Sequence, residues 1–361
     1  MSFSWKENLP EELKEKVTKV EKMIQPRIEE IDEQVLYNQQ RVLDLFRKHH
    51  VGEEDLVPST GYGYDDIGRD KIEDIYADYF KTDDALVRPQ FGSGTHAITV
   101  GLFSMLRPGD TLYYLTGTPY DTIQEVIGLA GNKPGNMKEW GINFKTTELT
   151  DDGQVDYEKA RKDLQDKSIK VVAIQRSLGY ATRKTFTMDK IKKMLKFIKE
   201  VRPDVNIFID NCYGEFSECE EPTFYGADMM AGSLYKNAGA GLVKGGAFLV
   251  GRQDLIDGAG SRLTVPGAGK GEGATWGYLR DIYQGFFMAP HTTGEAQKGM
   301  VFTAALLEEM GMQVSPKWSD PRSDIVQTVT FGKPDPMVKF CAAIQHYSPM
   351  NSFVDPIPYH Q

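Results

Sequence analysis

A chain of 361 residues, 40% hydrophobic and 26% charged, is long enough for one large α/β domain with a smaller one beside it. Its formal charge of −10, from 42 basic and 52 acidic residues, argues against a nucleic-acid or anionic-membrane partner but leaves room for a local basic pocket. No apolar run is long enough to span a bilayer, the start at Met1 lacks a signal-peptide core, and Cys212, Cys219 and Cys341 have no metal-ligand spacing, so the chain reads as a reduced cytoplasmic protein without a metal site.

From Pro10 to His50 the pattern is helical. Ile28, Val35 and Val42 recur seven apart, Ile31 and Leu45 widen the same face, and Glu29, Glu30, Asp32 and Glu33 stay polar. Pro26 is expected to separate a first helix from a second. This segment packs on its own domain or, the reading preferred, forms an arm on a partner subunit. A glycine- and tyrosine-rich loop follows, Ser59 to Asp70, serving either binding or simple turn formation, and then a helix from Lys71 to Phe80. The stretch Arg88 to Ala97 leads into a helix ending at Leu106. Small residues at a helix N-terminus make an anion site, to which Ser93 and Thr95 add hydroxyl donors. Gly92-x-Gly94-x-x-Ala97 imitates a dinucleotide fingerprint. That reading is set aside because Pro89 interrupts the preceding segment and Asp110 precedes the next strand instead of ending it.

A strand from Thr111 to Leu115 runs into the loop Thr116 to Thr122, where Tyr120 either stacks on a planar ligand or is an ordinary half-buried tyrosine. Lys145 to Asp166 reads as a short strand and a charged helix. Val171 to Ile174 is a buried strand opening into the loop Gln175 to Tyr180, and Met188 to Val201 is a helix with a solvated lysine face. Asn206 to Asp210 is a strand ending on an acid. Such alternation predicts an open parallel sheet with ligands outside the strands' carboxyl ends, so Ser93, Tyr120, Ser177 and Asp210 are expected around one crevice. Beyond it, Gly232-Ser233-Leu234-Tyr235-Lys236-Asn237 sets a lysine among small and polar residues. A strand-end acid and a loop lysine match the needs of pyridoxal phosphate: the lysine bonds the aldehyde, and the acid keeps the pyridine nitrogen protonated. On these two residues alone, an ordinary acid and a solvated lysine explain the pattern equally well. Lys244 is a rival, and Lys236 is preferred because Ser233 supplies a phosphate ligand on the same loop. Further on, Gly245 to Gly251 reads as a strand, Gly258 to Gly277 as an ordered loop carrying Arg262, Lys270 and Glu272, and 278 to 310 as helical. A strand from Asp324 to Thr330 and a helix from Met337 to Ile344 begin a smaller domain.

Several strings together resemble fold-type-I pyridoxal-phosphate enzymes of the cystathionine/methionine lyase class, most closely the methionine gamma-lyase-like proteins called aluminium-resistance proteins. They are Gly61 to Arg69, Arg88-Pro89-Gln90 with Ser93 to Ala97, Gln175-Arg176-Ser177, Ser233 to Asn237, Arg262 to Gly267, and Tyr283 to His291. The resemblance implies an aspartate aminotransferase-like α/β fold with a mostly parallel sheet. It divides the chain into an arm (1–50), a large cofactor domain (51–310) and the start of a small α+β C-terminal domain (311–361) that ends short of the family's usual length. By the same resemblance, Lys236 holds the cofactor and moves protons, Asp210 pairs with the pyridine nitrogen, and Tyr120 stacks on the ring. Ser93, Gly94, Thr95 and Ser233 bind the phosphate. Tyr62 or Tyr64, with Arg69, reaches the phosphate from a neighbouring subunit, making the protein a homodimer or homotetramer with shared sites. The family's carboxylate-binding arginine has no motif here; Arg322 alone follows Arg280.

The expected activity is therefore β- or γ-elimination on a sulfur amino acid such as cystathionine, cysteine or methionine. The same cofactor residues also serve aminotransferase or aldolase chemistry. A non-catalytic, cofactor-carrying or metal-stress role is the reading from another class, though no carboxylate or cysteine cluster is spaced as a metal site.

Overall fold

The computed structural model describes residues 4–179 and 181–358, so residues 1–3, 180 and 359–361 lie outside the described residues. The chain forms two compact units. The larger holds Arg27–Gly299 with Pro321–Val326; the smaller holds the residues up to Pro26, Met300–Asp320, and those from Gln327 onward.

The larger unit is built on a seven-stranded sheet. Its strands are β1 (Asp84–Arg88), β2 (Thr111–Tyr114), β3 (Asn143–Thr146), β4 (Ile169–Gln175), β5 (Asn206–Asp210), β6 (Met229–Ser233) and β7 (Ala247–Gly251), in the order β1-β7-β6-β5-β4-β2-β3. β7 runs antiparallel to both its neighbours, while β2 to β6 pair in parallel. β1 consequently points the same way as β6, and six carboxyl ends share one edge. The strands are apolar on both faces because helices cover both. Val87, Val172, Ile174, Ile207, Ile209, Met230, Phe248 and Val250 pack against α2 (Ile67–Phe80), α6 (Met188–Val201) and α8 (Leu279–Glu309). The alternate residues Leu86, Leu112, Val171, Ala173, Phe208, Met229, Ala231 and Leu249 pack against α3 (Gly94–Met105), α4 (Asp121–Ile127) and α7 (Gln253–Leu263). Each fully buried Val, Leu, Ile or Phe contributes roughly 1.5–3 kcal/mol, so this three-layer core fixes the register of the edge. The smaller unit joins β8 (Gln313–Ser315) antiparallel to β9 (Thr328–Thr330) and carries α9 (Pro334–His346). No described helix is long and apolar enough to cross a membrane.

Several expectations are corrected. Pro26 does not divide the first segment: α1 (Glu11–Lys48) is continuous, with Pro26 inside it. Its apolar stripe runs on through Val17, Val20, Ile24, Ile31 and Val42, all buried, which outweighs the one hydrogen bond a proline removes. Asn38 is buried too, and its side chain donates to the Phe216 and Glu218 carbonyls of its own chain (3.4 and 3.0 Å). The loop placed at 258–277 begins as helix, since α7 extends to Leu263. Gly260 lies where a Cβ would come 2.9 Å from the Lys270 nitrogen, so glycine there serves close packing instead of a turn. The strand placed at Asp324 starts only at Thr328, and Pro321–Val326 belongs to the larger unit. A strand does stand directly before Pro89, namely β1. One of the two grounds for setting the dinucleotide reading aside therefore fails, and the position of Asp110 carries the exclusion alone.

Candidate active site

At the carboxyl edge, β1 hands over to α3 through Ser93. Its backbone is extended, and its hydroxyl accepts from the His96 N–H (3.1 Å), capping the helix. The first turn of a helix leaves N–H groups without intrahelical acceptors, and here they belong to Gly94 and Thr95. A Cβ on Gly94 would lie 3.1 Å from Cys212 Sγ and 3.2 Å from Ser233 Cβ. This glycine thus lets the helix start approach the ends of β5 and β6. Tyr120, half-buried after β2, shares a hydrogen bond with Thr95 (Oη to Oγ1, 2.8 Å), and its N–H donates to Gln175 Oε1 at the end of β4 (3.2 Å). Burial, reinforced by the Asp210 carboxylate, pushes the Tyr120 phenol far up, so the hydroxyl is neutral.

Asp210 ends β5 and is buried, with the Cys212 N–H donating to its Oδ1 (3.1 Å). Burial pushes its carboxyl up, and the Lys236 ammonium opposes that push. Lys236 follows β6, with Nζ 3.7 Å from the centre of the Tyr213 ring. Burial works against its ammonium, but Cys212, Tyr213 and Asp210 outweigh it, and its pKa lies above the ordinary lysine value. Asn237 fastens the lysine loop, its side chain donating to the carbonyls of Tyr213 (3.0 Å) and Glu215 (2.8 Å). Lys244 stands apart, 72% exposed at its side chain and 3.1 Å from Asp281.

Ser93, Gly94, Thr95, Tyr120, Asp210, Ser233 and Lys236 thus sit on the ends of β1, β2, β5 and β6, on the same edge. Ser177, after β4, instead donates to Asp324 Oδ2 (2.7 Å), which also accepts from Thr185. Arg183 braces this corner, donating to the carbonyls of Gln175 (2.8 Å) and Ser177 (2.7 Å); burial pulls it down to about 10 against the pull of Asp324 and Asp210. Arg322 is buried in the same inserted segment. Tyr62 and Tyr64 occupy different ground. They stack on each other (5.5 Å between centroids), are 68% and 60% exposed, and Tyr64 borders an open cleft of about 590 Å³ with Asp65, Arg69, Asp70, Lys270 and Gly271. Arg69 is buried there, donating to the Gly63 and Gly273 carbonyls (2.5 and 3.2 Å) and to Asp70 (2.9 Å).

Sequence reasoning gave no role to Cys212, Tyr213 or Arg183, and quoted Gln175 and Asn237 only within longer strings. The first two had a usable signal, standing two and three residues after the strand-end acid; the others are brought in by tertiary contacts.

The donor set suits pyridoxal phosphate. A helix start with two hydroxyls and a glycine answers a phosphate, a neutral tyrosine offers a ring face, a buried strand-end acid offers a partner for a ring nitrogen, and the lysine amine lies within its electrostatic reach. A parallel-sheet edge furnished this way defines the fold-type-I pyridoxal-phosphate class. The methionine gamma-lyase family model matches residues 13–361, and the chain belongs to that family of pyridoxal-phosphate-dependent carbon–sulfur lyases. It is 49% identical over 336 residues to the uncharacterized protein YnbB of Bacillus subtilis, covering 93% of this chain and 79% of that one. Among solved structures it resembles a candidate cystathionine beta-lyase involved in aluminium resistance from Listeria monocytogenes (TM-score 0.94, 47% identity, 96% of this chain and 85% of that one). A carbon-sulfur lyase involved in aluminium resistance from Clostridium novyi is similar as well (TM-score 0.94, 42% identity, 98% and 84% covered).

Proposed function

We propose that this chain carries its cofactor on Lys236 and eliminates the sulfur substituent of a sulfur amino acid, of the cystathionine, cysteine or methionine type. The observation that carries the reading is one sheet edge that brings together buried Asp210, Lys236 and the Ser93–Thr95 helix start, whose Gly94 lies against Cys212 and Ser233. When bound, pyridoxal phosphate supplies the electron sink. Gly94 and Thr95 N–H groups, with the Ser93, Thr95 and Ser233 hydroxyls, hold its phosphate. Asp210, ionised, pairs with the ring nitrogen, and Tyr120 covers one ring face with its hydroxyl tied to Thr95. Lys236 takes the α-proton and moves protons at the neighbouring carbon while the carbon–sulfur bond breaks and the thiol departs. We assign the substrate carboxylate to Arg322, whose segment is anchored beside the end of β4 through Asp324 and Ser177. We assign Tyr62 and Tyr64 to the phosphate of a partner subunit, a role supported by their stacking and exposure, with buried Arg69 shaping the loop that carries them.

Borohydride reduction followed by peptide mapping tests the centre of this reading. A pyridoxyl group on Lys236, with release of pyruvate or 2-oxobutyrate from one of the three substrates, is the expected result. A label on Lys244, no label, or a loaded protein inert to all three substrates would overturn it.

A further inference from the structure

The turn after β5 is built at a cost. Tyr213 (φ 72°) and Phe216 (φ 62°) are both in the left-handed region without being glycine, a backbone strain that the surrounding contacts must hold. Between them stands Glu215. The turn is locked by Arg176, which donates to Asn211 Oδ1 (2.9 Å) and to the Gly214 carbonyl (3.1 Å), and by Asn237 next to the lysine. It sets Tyr213 beneath Lys236 and sends the Glu215 side chain inward.

That side chain is wholly buried, and neither carboxyl oxygen has a hydrogen-bond partner among the described residues. It lies under Gly232 of β6, where a Cβ would come 2.3 Å from Glu215 Oε1 and 2.2 Å from the Phe248 ring. Only glycine at 232 admits the carboxyl. The hydroxyl of Tyr76 on α2, whose ring centre lies 5.1 Å from that of Phe248 and 4.2 Å from that of Phe286, is likewise buried with no hydrogen-bond partner among the described residues. A carboxylate with two unpaired oxygens among aromatic rings has a desolvation cost that proteins avoid by protonation.

We propose that Glu215 is a positioning residue for Lys236, held as an uncharged carboxylic acid beneath the lysine loop so that Asp210 remains the lysine's sole buried carboxylate partner. The groups facing it agree. Asp210, Cys212 and Glu221 come from its own turn, Lys236 from the loop after β6, and Tyr76 from α2; Gly232 and Phe248 bring no charge. Burial first, then Glu221 and Asp210, raise its pKa to about 8 against the opposing pull of its own backbone N–H and of Lys236. Were Glu215 ionised, it would compete with Asp210 for the lysine and weaken the acid that the ring nitrogen needs.

This inference rests on the Lys236 reading above, and its tests separate the two. In the cofactor-free wild-type protein, infrared spectroscopy at neutral pH should show a protonated carboxylic-acid carbonyl band that Glu215→Gln removes. The stability of that variant relative to wild type should also change with pH. At pH values below 4.5 both folded and unfolded wild type hold the Glu215 proton; between 4.5 and about 8 only the unfolded chain loses it, so wild type weakens as pH rises. The urea midpoint of Glu215→Gln should therefore gain on wild type across that window and stay level above it. In the loaded protein, the cofactor absorbance should show a break near the Glu215 pKa that is missing in Glu215→Gln. Should that variant not fold, the wild-type infrared band disappearing on alkaline titration decides the question alone. A band absent at neutral pH, a pH-independent stability difference, or superposable absorbance profiles would overturn the proposal. Failure of Lys236 to take up cofactor would refute the cofactor reading, with the infrared and urea arms still deciding whether Glu215 is neutral.

Discussion

Glu73 and Arg88 offer a sharp test of how the edge is held. Both are buried, Glu73 on α2 and Arg88 at the end of β1. Glu73 Oε1 accepts from Arg88 Nε (2.5 Å) and from the Val87 N–H (2.9 Å), and Oε2 accepts from Arg88 Nη2 (3.1 Å). The same guanidinium donates to the carbonyls of Lys270 (2.6 Å) and Glu272 (2.8 Å). Glu73→Met leaves a buried cation without its counter-ion, which costs about 3–5 kcal/mol, and orphans a buried N–H at a further ~1–3 kcal/mol. The two losses share one site and overlap, so a total of roughly 4–6 kcal/mol is expected, a large fraction of a typical stability of about 5–15 kcal/mol. The assay is urea unfolding followed by circular dichroism, run as a double-mutant cycle. Glu73→Met/Arg88→Met removes both charges and should recover at least ~2 kcal/mol relative to Glu73→Met alone, because no isolated buried charge remains. Additive single-mutant costs, or a loss under about 1 kcal/mol for Glu73→Met, would refute the argument that this pair is a coupled buried unit.

Two further outcomes follow from other parts of the larger unit. Arg322→Lys, exchanging a planar fork for a point charge, should raise KM roughly 10–100-fold with little change in kcat, as about 1.5–3 kcal/mol of charged hydrogen bonding is lost; an unchanged KM would remove Arg322 from the carboxylate site. Asp166 has its pKa lowered from 3.8 to about 2, chiefly by the Ser168 hydroxyl and then by Lys145. A lowered carboxylate stabilises above its unfolded pKa and loses that contribution as pH falls from 3.8 through 2. Asp166→Asn should therefore be slightly less stable than wild type at neutral pH, with the gap closing on acidification; a gap that persists in acid would contradict this origin.

Strands with continuous apolar character were readable directly. Asn206–Asp210 coincides with β5, and Met188–Val201 with α6, because burial on both faces or on one stripe leaves a strong pattern. β1 and β6 were not singled out. Asp84-Ala85-Leu86-Val87-Arg88 is short and bounded by charges whose counter-ions, such as Glu73 and Lys270, come from distant parts of the chain. Asp210 and Lys236 stood out through chemistry, a strand-end acid and a lysine among small residues. Glu215 left no such signal. Its meaning depends on what lies above it, Gly232, and what lies beside it, Tyr76, which are distant in sequence. Pro26 misled because the intrinsic penalty of proline is visible in a sequence, whereas the packing that overrides it is not.

The antiparallel strand between β1 and β6 also governs when the sheet can close during the chain's own synthesis. β1 reaches the rest of the sheet only by pairing with β7, residue by residue from Asp84–Gly251 to Arg88–Ala247. A growing chain that has already exposed Ser93, Tyr120, Asp210 and Lys236 can seat α3 on β5 and β6, but β1 has no strand to pair with until Gly251 has left the ribosome. Such a long closure is slow and leaves strand edges uncovered meanwhile, so β7, the last strand of this sheet to be made, acts as its clasp.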